Sequence, residues 1–225
     1  MNGSPPPNAL LYIGTGCPHC GSVLDGLARM VKAGKLARLE VVNVAVEPEA
    51  GQARGVRSVP WTRIGPFELI GDLSPAEIAD WVERAWTGEG WSAYYAHLLE
   101  SRRLDEVAQR VRARPATLAG LLALLDDEAP MAVRIGISAV VEELAGSEPL
   151  RAVLPQLEQL TLSDSPQTRA DACHFLGLAG DRSAAAAVRR LLDDDQPDVR
   201  EIAMETLAML GETGAIGVPD DEEAL

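Results

Sequence analysis

Two cysteines three positions apart are the residues whose types and spacing point most directly to chemistry. Cys17 and Cys20 enclose Pro18 and His19 and follow an apolar run, and Cys173 is the third cysteine of the chain. Such a pair can exchange electrons by forming and breaking a disulfide. It can also supply half of a four-ligand zinc site, or it can be purely structural. The elements that position the motif must decide among these interpretations.

The segment 9–86 alternates between strand-like and helix-like patterns. Apolar residues at 9–13 predict a strand buried on both faces. Apolar residues at helical spacing from 23 to 31 predict a helix that stops at Gly34. The β-branched run 39–46 predicts a second buried strand. A strand, a helix and a strand within this length predict a parallel βαβ unit with a right-handed crossover.

A hairpin and a capped helix are predicted next. Short apolar runs at 61–64 and 67–70 predict two antiparallel strands joined at Gly65-Pro66. Ser74 and Glu77 have the spacing of a capping box, which predicts that a helix begins between them. The order of elements is therefore β-α-β followed by β-β-α.

This order, with a CxxC at the start of the first helix, resembles the thioredoxin/glutaredoxin fold. The resemblance covers about the first two-fifths of the chain. The Cys-Pro-His-Cys sequence is similar to that of the disulfide-forming oxidases of the bacterial periplasm. Val59-Pro60 matches the loop in which family members carry a cis-proline that faces the CxxC.

The resemblance implies catalytic roles for Cys17, His19 and Cys20. We expect Cys17 at the N-cap of its helix, Pro18 at N1 and Cys20 at N3. Unpaired helix N–H groups and the macrodipole would then favour a thiolate on Cys17, and His19 would add a donor or a positive charge. Cys17 is therefore expected to attack a substrate disulfide, and the more buried Cys20 to resolve the mixed disulfide.

Substrate binding is expected beside this motif. In the family the cis-proline loop offers backbone groups to an extended substrate segment, which implies that role for Val59 and Pro60, with Pro18 and Trp61 next to them. We expect no cofactor. We also expect no bound metal, because a structural zinc site needs four ligands and this region offers two cysteines and a histidine.

Three features depart from the thioredoxin pattern. Gly16 stands where thioredoxins carry an aromatic residue, and Leu11 stands where they bury a carboxylate. The segment 47–57 leaves room for only a short helix. The sequence therefore predicts a core of glutaredoxin size, without the carboxylate that aids proton transfer to the second cysteine.

Beyond Gly90 the pattern is helical and repetitive. Arg134, Arg169 and Arg200 recur at spacings of 35 and 31 residues, each after acidic residues and a proline. Apolar residues follow each arginine at +3, +7 and +10, which places them on one face of a helix. These residues are Ile137, Val141, Leu144, Ala172, Leu176, Ala179, Ala203, Leu207 and Leu210. The pattern resembles HEAT repeats, which are helical hairpins stacked as a solenoid. Cys173 lies beside the apolar face and is interpreted as a packing residue.

The predicted fold is therefore an α/β thioredoxin-like N-terminal domain followed by an all-α HEAT-like solenoid. We predict a disordered leader at 1–8, the thioredoxin-like domain at 9–88, the helical repeats at 89–214 and an acidic tail at 215–225.

Composition narrows the class of function. A net charge of −14 argues against nucleic acid or an anionic membrane as the main partner. The leader lacks the basic and apolar regions of a signal peptide, and no segment approaches the roughly 20 apolar residues of a spanning helix. Three cysteines do not suggest a secreted disulfide framework, so we expect a cytoplasmic protein.

The sequence thus predicts a cytoplasmic thiol–disulfide oxidoreductase that acts on a protein substrate or complex docked by the helical repeats. The alternative is a non-enzymatic adaptor or a redox-sensing scaffold. A metal carrier that uses the CxxC is a third, weaker hypothesis.

Overall fold

A four-stranded mixed sheet forms the centre of the N-terminal part of the chain. The computed structural model describes residues 5–125 and 129–211. The strands lie in the order β2-β1-β3-β4, with β1 parallel to β2 and antiparallel to β3. Their bounds are β1 Asn8–Ile13, β2 Arg38–Asn43, β3 Trp61–Ile64 and β4 Phe67–Ile70. The β3–β4 hairpin has the bounds that the sequence predicts.

Helices cover this sheet. Their bounds are α1 Cys20–Lys32, α2 Pro48–Gln52 and α3 Pro75–Thr87. The predicted order β-α-β, short helix, β-β-α is thereby confirmed. α1 and α3 approach closely at Gly26, where an added Cβ would lie 2.5 Å from Ile78 Cδ1. α3 begins with the predicted capping box, because the Ser74 hydroxyl accepts from the Glu77 amide and the Glu77 carboxylate accepts from the Ser74 amide.

The second strand differs from the prediction. β2 ends at Asn43 rather than at residue 46, and it is an edge strand rather than a buried one. Val41 is 40% exposed and Val46, beyond the strand, is 74% exposed. The β-branched run gave strand propensity, but propensity does not say whether a strand has one neighbour or two.

The predicted leader overlaps the start of the sheet. Residues 1–4 lie outside the described part of the chain. The carbonyl of Pro7 accepts from the amide of Ala37 at 2.9 Å. Asn8 opens β1, so the first strand begins one residue earlier than predicted.

The chain divides into two units between Gly90 and Trp91, and the second is helical. Its helices are α4 Trp91–Glu100, α5 Leu104–Ala113, α6 Leu118–Leu122, α7 Met131–Glu143, α8 Glu148–Ala152, α9 Leu154–Leu160, α10 Pro166–Ala179, α11 Ala185–Arg190 and α12 Pro197–Met209. Short 3₁₀ turns stand at Pro115–Thr117, Ala123–Leu125, Arg182–Ala184 and Leu191–Asp193. α10 packs against both α7 and α12, as expected when hairpins stack on their neighbours. The predicted acidic tail at 215–225 lies outside the described residues.

Two of the repeated arginines, Arg134 and Arg169, join successive helical pairs. Arg134 donates to the Asp171 carboxylate on α10 at 2.8 Å and to the Leu125 carbonyl at 2.9 Å. Arg169 donates through two nitrogens to the Asp194 carboxylate, at 2.7 and 2.8 Å. Each guanidinium therefore satisfies polar groups of the next pair as the pairs stack.

The predicted apolar face of the repeats is confirmed. All nine residues at +3, +7 and +10 from the arginines are buried, with exposed fractions of 4% or less. Within the described residues, no helix is long and apolar enough to cross a membrane.

Candidate redox site

Cys17 and Cys20 form a disulfide, with their Cα atoms 5.5 Å apart. Cys17 is partly exposed, whereas Cys20 is only 5% exposed. This difference in burial is the one that the sequence predicts. Cys17 is therefore the more accessible residue of the pair.

A tight turn after β1 carries the pair. β1 ends at Ile13, and Gly16 adopts a φ of +77°, a conformation that glycine adopts without steric cost. The Cys17 amide donates to the Gly14 carbonyl at 3.2 Å, which closes the turn. Pro18 and His19 follow, and α1 begins at Cys20.

The predicted helix start is wrong by two residues. α1 begins at Cys20 with His19 as its N-cap, so Cys17 is not the N-cap and Pro18 is not the first helical residue. The glycine-rich turn ends later than the proline suggested, because the Cys17 amide is used in the turn itself. The disulfide joins Cys17 to Cys20, the first residue of α1, so Cys17 still lies close to the positive end of the helix dipole.

The Val59–Pro60 loop faces Cys17. The Val59–Pro60 peptide bond is cis, as the resemblance implies. The Val59 carbonyl oxygen lies 3.9 Å from Cys17 Sγ, which is a contact in the disulfide and a site for a hydrogen bond once Cys17 carries a proton. A Cβ added at Gly14 would lie 3.1 Å from Val59 Cγ2, so the turn and the loop are closely packed.

The four predicted substrate-binding residues differ in exposure. Pro18 is exposed, Val59 is half-buried and Pro60 is buried. Trp61 is 5% exposed and packs its ring against Tyr12 at a centroid distance of 5.4 Å. The Trp61 side chain therefore supports the loop from the core, and the residue has little surface left for contact with a substrate.

His19 contacts the side chain of Asp72. Its Nδ1 lies 3.1 Å from Oδ2 of Asp72, in the loop between β4 and α3. The Ser22 hydroxyl lies within hydrogen-bonding distance of Asp72 Oδ1 at 3.1 Å and of the His19 carbonyl at 2.8 Å. Sequence reasoning missed Asp72 and Ser22. An aspartate two residues after the last strand was the available signal, but its partner lies 53 residues earlier in the chain.

An apolar side chain, Leu11, occupies the position at which thioredoxins bury a carboxylate. Leu11 lies on β1 opposite Thr62 of β3 and is fully buried. An apolar side chain there carries no proton. His19 of the CxxC motif and its partner Asp72 are acid–base groups, and both are at the surface.

Cys173 belongs to the helical unit and is fully buried, as predicted for a packing residue. Burial raises the pKa of its thiol to about 11, and a hydrogen bond from Thr206 opposes that shift. At neutral pH it is therefore protonated and a poor nucleophile. Within 5–125 and 129–211, no group of three or more histidine, cysteine or acidic residues could hold a metal ion.

Two family models match the chain. Residues 9–83 match the thioredoxin domain, and residues 153–218 match HEAT repeats. A comparison with curated proteins finds no match. The chain therefore carries a thioredoxin-like domain, which contains the Cys17–Cys20 pair, followed by HEAT repeats. Both resemblances inferred from the sequence are confirmed.

Proposed function

We propose that this protein is a thiol–disulfide oxidoreductase whose helical repeats dock the protein on which it acts. The observation that carries the proposal is the asymmetric cysteine pair. Cys17 is partly exposed beside the Val59 carbonyl, and the buried Cys20 is close enough to form a disulfide with it. In this proposal Cys17 meets the substrate and Cys20 completes the exchange.

The reaction is an exchange of disulfide bonds. In the dithiol form, the Cys17 thiolate attacks one sulfur of a substrate disulfide and releases the other as a thiolate, which takes up a proton. The Cys20 thiolate then attacks Cys17 Sγ, forms the internal disulfide and releases the second substrate thiolate. The substrate gains two electrons and the cysteine pair loses two. A dithiol reductant must then restore the pair, and the reverse sequence would oxidise a substrate.

The groove beside Cys17 is the proposed substrate site. Val59 contacts Cys17 and is half-buried, Pro60 is buried after it, and Pro18 is exposed. The Val59 carbonyl oxygen lies 3.9 Å from Cys17 Sγ, the atom proposed to react. An extended substrate segment held along this loop would present its disulfide to Cys17.

The proposed docking surface lies on the repeats, along the outer face of α7. Met131 and Ile135 are 67% and 62% exposed, which is unusual for large apolar side chains. They line an open groove of about 280 Å³ together with Gln167 and Asp171 of α10. Docking there would raise the effective concentration of a tethered substrate at Cys17.

A redox-sensing scaffold is the second candidate, and Leu11 favours it. With an apolar residue in place of the family's buried carboxylate, proton transfer to Cys20 lacks a carrier and turnover would be slow. A slow pair can still report the redox state of its surroundings. For either function we propose the cytoplasm as the compartment, as the cysteine content of the sequence suggests.

Turnover separates the two candidates. The assay follows reduction of insulin by dithiothreitol with wild type, Cys17→Ser and Cys173→Ser. The oxidoreductase proposal expects wild type and Cys173→Ser to accelerate the reaction equally and Cys17→Ser to lose the acceleration. Equal rates for wild type and Cys17→Ser would eliminate the enzyme and leave the scaffold.

A further inference from the structure

Asp72 ties the CxxC turn to the end of β4. Its Oδ2 contacts His19 Nδ1, and its Oδ1 contacts the Ser22 hydroxyl, both at 3.1 Å. The amide of Gly71, the preceding residue, donates to the Pro60 carbonyl at 2.9 Å. One carboxylate thus joins the redox turn to the strand that runs beside the cis-proline.

The contact with Asp72 determines which ring nitrogen of His19 carries the proton between them. An ionised carboxylate only accepts hydrogen bonds, so the proton between Asp72 and His19 belongs to Nδ1. The second ring nitrogen, Nε2, stays available for another proton. The His19 and Asp72 side chains are 60% and 50% exposed, so the pair contributes little to stability. The contact with Asp72 instead affects the position of the His19 ring, two residues after Cys17, and the net charge around that ring.

We propose that Asp72 sets the redox poise of the Cys17–Cys20 couple through His19, which rests on the proposed function of that pair. A protonated His19 stabilises the Cys17 thiolate, and hence the dithiol form, which makes the couple more oxidising. Asp72 offsets that positive charge and holds the ring in one place. The couple is therefore more reducing than it would be beside an unpaired histidine.

The test measures the dithiol–disulfide equilibrium of the full chain in glutathione buffers. The work is done at pH 6, inside the range where histidine side chains take up a proton. Asp72→Asn is expected to shift the equilibrium constant toward the dithiol by about two- to fivefold, the effect of one exposed charge pair. His19→Gln is expected to shift it toward the disulfide.

A double variant separates action through His19 from a direct effect of the Asp72 charge on the sulfur. In the His19→Gln background there is no ring for Asp72 to hold, so Asp72→Asn should shift the constant less than it does in wild type, and the shift that is left measures the direct effect of the Asp72 charge. An equal shift in both backgrounds would show that Asp72 acts without His19 and would overturn the inference, as would no shift in the wild-type background.

Two further variants control for charge and folding. Asp25→Asn removes an exposed carboxylate from α1 without touching His19, and the constant should not change. Asp72→Glu restores the charge and should recover most of the wild-type value. The constant is measured at equilibrium, so it does not depend on whether the protein turns over a substrate. A chain that fails to reduce insulin but shows the His19-dependent shift would refute the proposed turnover and leave the role of Asp72 intact.

Discussion

Cys17 Sγ lies 3.9 Å from the carbonyl oxygen of Val59, a residue 42 positions later in the chain. The contact brings the turn after β1 against the loop before β3, and it defines the groove in which exchange is proposed. Pro60 is buried behind that groove and Trp61 lies in the core, so the loop has little freedom to move away. Cys17 Sγ therefore lies beside a loop that is held in place by its buried residues.

Thiol labelling should distinguish Cys17 from Cys173. After mild reduction, iodoacetamide at pH 7 is expected to label Cys17 first, because it is partly exposed and close to the start of α1. Cys173 is fully buried and its pKa is raised to about 11, so it should react only on unfolding. Peptide mapping across pH measures both rates, and preferential labelling of folded Cys173 would contradict the assignment.

The couple should be more oxidising than that of thioredoxin, about −270 mV. The reasons are the Cys-Pro-His-Cys sequence and stabilisation of the Cys17 thiolate by His19, so His19→Gln should lower the potential. At a value near about −120 mV, a cytosolic glutathione poise of about −220 to −260 mV would keep the pair mostly as the dithiol. Equilibration with glutathione measures it, and a potential below that of thioredoxin would refute the prediction.

The sequence predicted well those elements whose boundaries depend on local signals. The hairpin bounds follow from Gly65-Pro66, and the start of α3 follows from Ser74 and Glu77, because turn and cap geometry are decided within four residues. The buried face of the repeats was also predictable, since each helix buries a stripe set by its own period.

What the sequence did not predict depends on partners far along the chain. The exposure of β2 depends on its place at the edge of the sheet, which no property of residues 39–46 encodes. The start of α1 is an exception, because it depends on a local hydrogen bond from Cys17 to Gly14, which the proline at position 18 gave no sign of. The His19–Asp72 contact needs β4 to end beside the CxxC turn, which only the folded sheet determines.

Arg169 should matter for stability because it pairs with Asp194 where both side chains are largely buried, at 13% and 6% exposure. Arg169→Ala leaves a buried carboxylate without its partner and is expected to cost about 3 kcal/mol in the free energy of unfolding. Arg112→Ala, which breaks a surface pair with Glu143, should cost about 1 kcal/mol or less. Urea unfolding at pH 7 measures both, and equal losses would contradict this account.

The same ion pair predicts an acid dependence. The hydrogen bonds from Arg169 hold the pKa of the Asp194 carboxyl well below its usual range. A lowered folded-state pKa adds stability that is complete above the unfolded-state value, about 3.9, and is lost as the pH falls below it. The difference between wild type and Arg169→Ala in free energy of unfolding should therefore narrow from pH 6 to pH 3. A difference that widens on acidification would contradict the assignment.

A charge placed on α7 should weaken docking without harming the chemistry. Ile135→Glu puts a carboxylate in the proposed docking groove and should lower capture of a natural protein partner severalfold, while insulin reduction stays unchanged. Gln109→Glu adds the same charge at an exposed position of α5 and should leave capture unchanged. Capture is compared as mixed disulfides in a Cys20→Ser background. If Ile135→Glu captured as much of the partner as Gln109→Glu does, the docking surface would lie outside this groove.

The most direct test of the central claim is to isolate the covalent intermediate. Reduced full-length Cys20→Ser is mixed with a disulfide-bonded peptide, and the adducts are located by mass spectrometry. Because the resolving thiol is gone, one peptide should remain attached to Cys17, whereas wild type should release it and form the Cys17–Cys20 disulfide, and Cys17→Ser should carry no adduct. An adduct on Cys173, or none on Cys17, would contradict the account.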